Sequence, residues 1–201
     1  AHDCGGITLH DVITPTFARK ALEKGADGLI AVAAGAGGHA GGLSPFALIQ
    51  EIRSFFDGPL LLSGAIATGR AILAAQAMGA DLAYIGSPFI ATAEANADAA
   101  YKQMIVDSGA EDIVYSSLFT GIHGNYLKPS IRAAGMDPDA LGSADASAMD
   151  FGKGAAKAKA WSQIWGSGQG IGAIHEVTPA GALVDRLAAE YAEARQALCA
   201  G

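Results

Sequence analysis

The chain has 201 residues, 51% of them hydrophobic and 16% charged, a balance that suits one domain with a packed core and excludes a disordered segment. Its formal charge of −7 offers no basic surface to a nucleic acid. No run approaches ~18 uninterrupted apolar residues, so no membrane span is expected, and the two cysteines, Cys4 and Cys199, are too few for a disulfide framework and fit a reducing cytoplasm.

Nothing at the N-terminus reads as a signal peptide. A strand-like run begins within a few residues of Ala1, so the polypeptide is expected to begin earlier. That run is Ile7 to Ile13. Thr14-Pro15 follows as a helix cap with proline in the first turn, and the helix stops at Gly25. Leu29 to Ala33 is the next strand, ending in the loop Gly35 to Gly42. Ser44-Pro45 starts a helix with Leu48, Ile49 and Ile52 on one face. Pro59 to Ser63 is a buried strand, Gly64 to Gly69 its loop, and Arg70 to Met78 an Ala-rich helix. Leu82 to Ile85 is a fourth strand, followed by Gly86-Ser87-Pro88.

These strands are continuous apolar runs without polar alternation, the pattern of strands covered on both faces of a parallel sheet. Helices between them make βαβ units. Gly25-Ala26-Asp27 and Gly79-Ala80-Asp81 repeat the same helix-to-strand turn two units apart. A barrel repeat and a doubly wound sheet both produce such an echo. Beyond Ala93 the texture changes. Ala95 to Ser108 is predicted helical, Ile113 to Tyr115 a short strand and Thr120 to Lys128 a loop. Met136 to about Asp150 is polar and irregular. Trp165 to Gly170 is a second Gly-rich loop. Pro179 to Ala197 is an amphipathic helix with Leu183, Val184, Leu187 and Tyr191 at core spacing.

Two consecutive loops carry the strongest chemical signal. Ser63-Gly64-Ala65 and Gly86-Ser87 each follow a strand and precede a helix, where backbone N–H groups and a serine hydroxyl can hold a phosphate. The alternative is a pair of plain tight turns. In (β/α)8 barrels the phosphate site is built by the loops after strands seven and eight. On that count this α/β chain supplies roughly strands five to eight of a TIM barrel in residues 1–93. Residues 94–201 form a mostly helical extension over the barrel and its mouth. Half a barrel leaves open edges and an exposed core face, so the chain is expected to be a fragment or to pair with another piece. His39, in Gly37-Gly38-His39-Ala40-Gly41, falls at the C-terminal end of a barrel strand, where barrel chemistry happens. An imidazole there suits proton abstraction near neutrality; a surface histidine in a flexible loop is the plainer alternative. No cluster has metal-ligand spacing.

Four segments in order resemble the nitronate monooxygenase (2-nitropropane dioxygenase) family: Ala34 to Gly41, Ser63 to Gly69, Gly79 to Phe89, and Trp165 to Gly170. The resemblance implies an FMN-dependent oxidoreductase that uses oxygen to convert alkyl nitronates or nitroalkanes to carbonyl compounds and nitrite. It implies that His39 is the catalytic histidine beside the flavin, and that Ser63, Gly64, Ala65, Gly86 and Ser87 cradle the FMN phosphate. Ala65 and Ser87 stand where Gly and Thr are commoner. Gly168 and Gln169 lie in the segment that approaches the cofactor, with Ser167 between them and Gly166. His123 and Tyr126 are weaker candidates for the substrate side. The same motifs occur in NAD(P)H-dependent FMN reductases of the enoyl-ACP reductase and quinone reductase types. A non-catalytic fragment or phosphate-binding module, and a flavin-free phosphosugar barrel enzyme, are further alternatives. The half of the family's barrel that supplies flavin-ring contacts is missing, so this chain alone is expected to bind FMN poorly. Its open edges make a homo-oligomer the expected form.

Overall fold

The computed structural model describes residues 2–141 and 163–200. Trp161 and the polar stretch from 142 to 150 lie outside the described residues. Four strands, β1 (Leu9–Val12), β2 (Gly28–Val32), β4 (Leu60–Ser63) and β5 (Leu82–Tyr84), form a parallel sheet in the order β1-β2-β4-β5. Helices α1 (Pro15–Glu23), α2 (Pro45–Arg53) and α3 (Gly69–Ala77) connect them. The order follows the chain without the reversal that marks a doubly wound sheet, so this is an arc of barrel wall. Right-handed crossovers put all three helices on one face.

The helix-facing side chains explain why the arc holds. Leu29 pairs with Leu60 and Leu62 with Ala83, so they share a face. Leu29, Ala31, Leu60 and Leu62 meet Leu48, Ile49 and Ile52 of α2 in one buried cluster. Each Leu or Ile removed from water there contributes roughly 1.5–3 kcal/mol. The helix starts are as read. Thr14 Oγ1 accepts from Phe17 N at 3.2 Å, and Pro15 opens α1.

The Gly-Ala-Asp echo is a true structural repeat. Gly25 and Gly79 have φ of 90° and 109°, the left-handed helix stop. Ala26 N donates to Ala21 O and Ala80 N to Ala75 O, each five residues back. Each aspartate then clamps the start of the neighbouring strand. Asp27 N donates to Thr8 O while Asp27 Oδ2 accepts from Thr8 N at 2.6 Å. Asp81 N donates to Leu60 O while Asp81 Oδ2 accepts from Leu60 N at 2.8 Å. Arg53 adds to the second clamp, with Nη2 2.7 Å from Asp81 Oδ2 and Nε 2.6 Å from Gly79 O.

Several sequence expectations are corrected. The Gly35 to Gly42 loop contains a short strand, β3 (Gly38–His39). Thr120 to Lys128 is not all loop, because Gly124–Leu127 is strand β7. β7 pairs antiparallel with β6 (Ile113–Ser116) on one side and with β3 on the other. β3 and β7 escape periodicity because β3 exists only through a partner distant in sequence, whereas β6 lies where the strand Ile113 to Tyr115 was expected. The predicted helix from Ala95 shortens to α5 (Ala99–Val106), started by Asp98, whose Oδ1 accepts from Ala100 N. A short helix α4 (Ser87–Ile90) precedes it and α6 (Lys128–Ala133) follows β7. In the second Gly-rich segment Gly166 bridges to Tyr126, and Gln169–Ala173 is a 3-10 turn. The last helix, α7 (Ala180–Cys199), buries Leu183 and Leu187 against its neighbours, whereas Val184 is exposed. The strands are not covered on both faces: Leu9, Leu82 and Tyr84, on the face away from the helices, are exposed. Among the described residues no helix is long and apolar enough to cross a membrane.

Candidate active site

A cleft of about 350 Å³ opens at the C-terminal ends of the parallel strands. Separate stretches build it: the loop after β2, the turns after β4 and β5, Tyr101 of α5 and the Gly166 to Gly170 segment. Ser63, Gly64, Ala65, Gly86, Ser87 and Gly168 all line it. Among its lining residues there is no Asp or Glu, so nothing in the wall repels an anion.

The local geometry departs from a helix-terminus cradle. The Ser63 to Ala65 loop does precede α3, but two of the first donors of that helix already have protein partners. Gly69 N donates to Glu190 Oε2 at 2.7 Å and Ala71 N to Thr68 Oγ1 at 3.1 Å, so the first donors of α3 are committed elsewhere. Ala65 N also donates to Gly35 O. What the wall offers a phosphate is two serine hydroxyls and turn backbone. Ser87 Oγ accepts from Gly168 N at 2.9 Å, which leaves its own proton for a ligand. Ala65 has φ 54°, a left-handed conformation that costs a side-chain-bearing residue roughly 1–2 kcal/mol. Such strain concentrates at functional turns.

The loops pack backbone to backbone. A Cβ on Gly168 would fall 2.7 Å from Gly35 O, so only glycine fits there. Asn125 Nδ2 donates to Ala36 O at 2.7 Å, and Gln169 N donates to Gly35 O at 2.9 Å. The small β3-β7-β6 sheet thus fixes the loop that carries His39. His39 pairs with Gly124 of β7, and Ala40 N donates to His123 O. His39 is exposed and is not among the residues that line the cleft; it follows the cleft-lining Gly38, with Nε2 2.9 Å from Thr120 Oγ1.

The other candidates are placed less directly. Gln169 is exposed, with its side chain beside Gly35. His123 stacks on Tyr115 at 5.0 Å between ring centroids and Tyr126 is buried edge-on against Phe119; neither lines the cleft. Ser167 is fully buried. The wall residues not named as candidates from sequence include Tyr84, Ile90 and Tyr101. Tyr101 stacks on Trp165, and its hydroxyl donates to Gly166 O. Burial pushes that phenol up to about 12, so it remains a donor throughout the neutral range. No periodicity marks Tyr101, since it comes from a helix far along the chain.

The family model described as nitronate monooxygenase matches residues 1–190, and the chain belongs to that family. It is 28% identical to the nitronate monooxygenase of Neurospora crassa over 210 residues, covering 96% of this chain and 56% of that protein. Among solved structures, it is similar to a nitroalkane oxidase from Streptomyces ansochromogenes, with TM-score 0.75, 29% identity, and coverage of 98% of this chain and 60% of that one. It is similar in fold to FabK from Thermotoga maritima, with TM-score 0.79, 24% identity and coverage of 98% and 64%. These likenesses establish the TIM-barrel class that the strand order indicates. The chain spans between about a third and just over half of the curated relatives it matches, 34% and 56% for two named nitronate monooxygenases.

Proposed function

We propose that this chain carries the phosphate-holding and histidine-bearing part of an FMN-dependent oxidoreductase that oxidises alkyl nitronates or nitroalkanes with oxygen, yielding a carbonyl compound and nitrite. The observation that supports it most is the convergence of Ser63, Gly64, Ala65, Gly86, Ser87 and Gly168, from three stretches of chain, on one cleft with no Asp or Glu among its described lining residues.

The residues present fit FMN. A phosphate needs donors without opposing negative charge, and the Ser63 and Ser87 hydroxyls with the adjoining turns meet that need. Ile66, Ile90 and Tyr101 supply apolar wall for the rest of the ligand. Bound flavin supplies the electron acceptor and the site of reaction with oxygen. The protein's part is position and proton transfer. His39, on a strand paired with β7 and next to the cleft-lining Gly38, hydrogen-bonds the nitro group of a nitronate, or takes the α-proton from a neutral nitroalkane. The glycine-lined wall beside it lets a planar ligand approach the backbone.

Turnover of two substrates tests this reading. In the intact enzyme His39→Asn is expected to lower kcat for a neutral nitroalkane by roughly 100-fold, the scale of a lost general base, while FMN affinity stays within about 2-fold. Equal turnover of the neutral nitroalkane by mutant and wild type would remove His39 from the chemistry. Flavin that NADH reduces and a nitronate does not would point to a reductase instead.

A further inference from the structure

We propose that Tyr115 is a positioning residue for His39, tethering the strand that carries it from the face opposite the imidazole. This role rests on His39 being the base of the reading above, while the tether itself stands without it.

The loop needs a tether. His39 and Ala40 sit between two glycine pairs, Gly37-Gly38 and Gly41-Gly42. Glycine gives the backbone its widest freedom, and β3 is two residues long, so the ladder alone holds little of this stretch. Bonds from outside the loop do the rest. Ala40 N donates to His123 O at 3.2 Å, and Tyr115 Oη donates to Ala40 O at 2.8 Å. Gly41 N then donates to Val32 O at 3.2 Å, at the end of β2. Both backbone polar groups of Ala40, the residue that follows His39, are thus engaged. The chain just before β7 takes one and a phenol takes the other.

The small sheet places that phenol behind the histidine. Across its three strands His39 is level with Gly124 and Ser116, and Gly38 is level with Asn125 and Tyr115. Successive residues of a strand project to opposite faces, so Tyr115 leaves the sheet on the face away from His39. Its ring is held there by stacking on His123, 5.0 Å between centroids. The phenol therefore fixes the backbone of the histidine strand without entering the face that carries the imidazole. Desolvation pushes its pKa above the ordinary value, so the hydroxyl keeps the proton it donates. Phenylalanine at 115 would keep the ring and the stack and lose the hydroxyl.

Tyr115→Phe in the intact enzyme tests the assignment, read by amide exchange and by turnover. Exchange at the Ala40 and Gly41 amides is expected to quicken roughly 5-fold, the scale of one neutral hydrogen bond, while amides of the parallel sheet keep their rates. The kcat for a neutral nitroalkane is expected to fall by a similar factor. Its KM, the FMN affinity and the turnover of a preformed nitronate, which has no α-proton to lose, should change less than about 2-fold. Unchanged exchange at Ala40 would overturn the tether. Equal losses with both substrates, or quickened exchange with full turnover, would overturn the positioning role. The reading of His39 fails separately: a fully active His39→Asn enzyme would sink the base, and Tyr115 as its positioning residue, even where exchange at Ala40 quickens.

Discussion

At the scale of single residues, two positions in the cleft wall carry the most information. Ala65 holds φ 54°, a conformation that glycine adopts without a side-chain penalty. Ala65→Gly relieves roughly 1–2 kcal/mol of left-handed strain against ~0.5–1 kcal/mol of added chain entropy, for a net gain of about 0.5–1 kcal/mol. Thermal unfolding should show a Tm higher by roughly 2 °C, and a lower Tm would mean that the Ala65 methyl packs usefully. Ser87 does two things at once, accepting from Gly168 N and presenting its proton to the cleft. Ser87→Ala should weaken FMN binding about 10-fold in a flavin titration, the scale of one hydrogen bond to a charged group, and Ser87→Thr should restore it. Unchanged affinity in Ser87→Ala would move the phosphate away from this turn. That Ser63 to Ala65, Gly86 and Ser87 fall in one cleft was legible because glycine and serine at strand ends are local signals, whereas Gly168 was named only through the family resemblance. The contacts of Tyr101 with Gly166 and of Tyr115 with Ala40, across 65 and 75 residues, were not legible, because one sequence does not encode them as a pattern.

Elements show the same division. The β-α units of the parallel arc were legible from apolar runs, proline starts and glycine stops. β3 and β7 were not, because a two-residue strand of Gly38 and His39 exists only through its partner. The clamps at the strand starts have a consequence in acid. Asp81 is held below the usual carboxylate range by the Leu60 N–H and then by Arg53. Asp27 is held below it by the Thr8 N–H and then by His2. A carboxyl depressed in the folded state adds stability above its unfolded pKa, about 3.9, and that stability is lost as the pH falls through the lower folded value. Denaturant midpoints should therefore be flat above about pH 5 and fall below about pH 4. In Asp81→Asn the part of the fall due to this clamp should vanish, with stability at neutral pH lower by about 1 kcal/mol, a modest figure because the carboxyl is more than half exposed. An acid profile identical to wild type would contradict the clamp. The contact of α7 with α3 is similarly specific. Glu190→Ala leaves Gly69 N without its acceptor and should cost about 1 kcal/mol, as for a lost helix cap.

For the whole molecule, the strand order places the sheet among barrel walls, and the exposed Leu9, Leu82 and Tyr84 lie on the face that a closed barrel fills with side chains. A chain with that face and two unpaired strand edges should self-associate when purified alone. Light scattering that shows a stable monomer at high micromolar concentration would contradict this. The cleft lies at the end of the sheet where barrel enzymes act, and it carries the motifs of the nitronate monooxygenase family to which the chain belongs. The central claim is that this site holds FMN and passes electrons to it from a nitronate. The most direct measurement is anaerobic mixing of the intact, FMN-loaded enzyme with an alkyl nitronate, without NADH, while the visible flavin absorbance is followed. Bleaching by the nitronate, reversed when oxygen is admitted, is the predicted result. Flavin that stays oxidised with nitronate and bleaches with NADH, or a protein that holds no flavin at saturating FMN, would contradict the account.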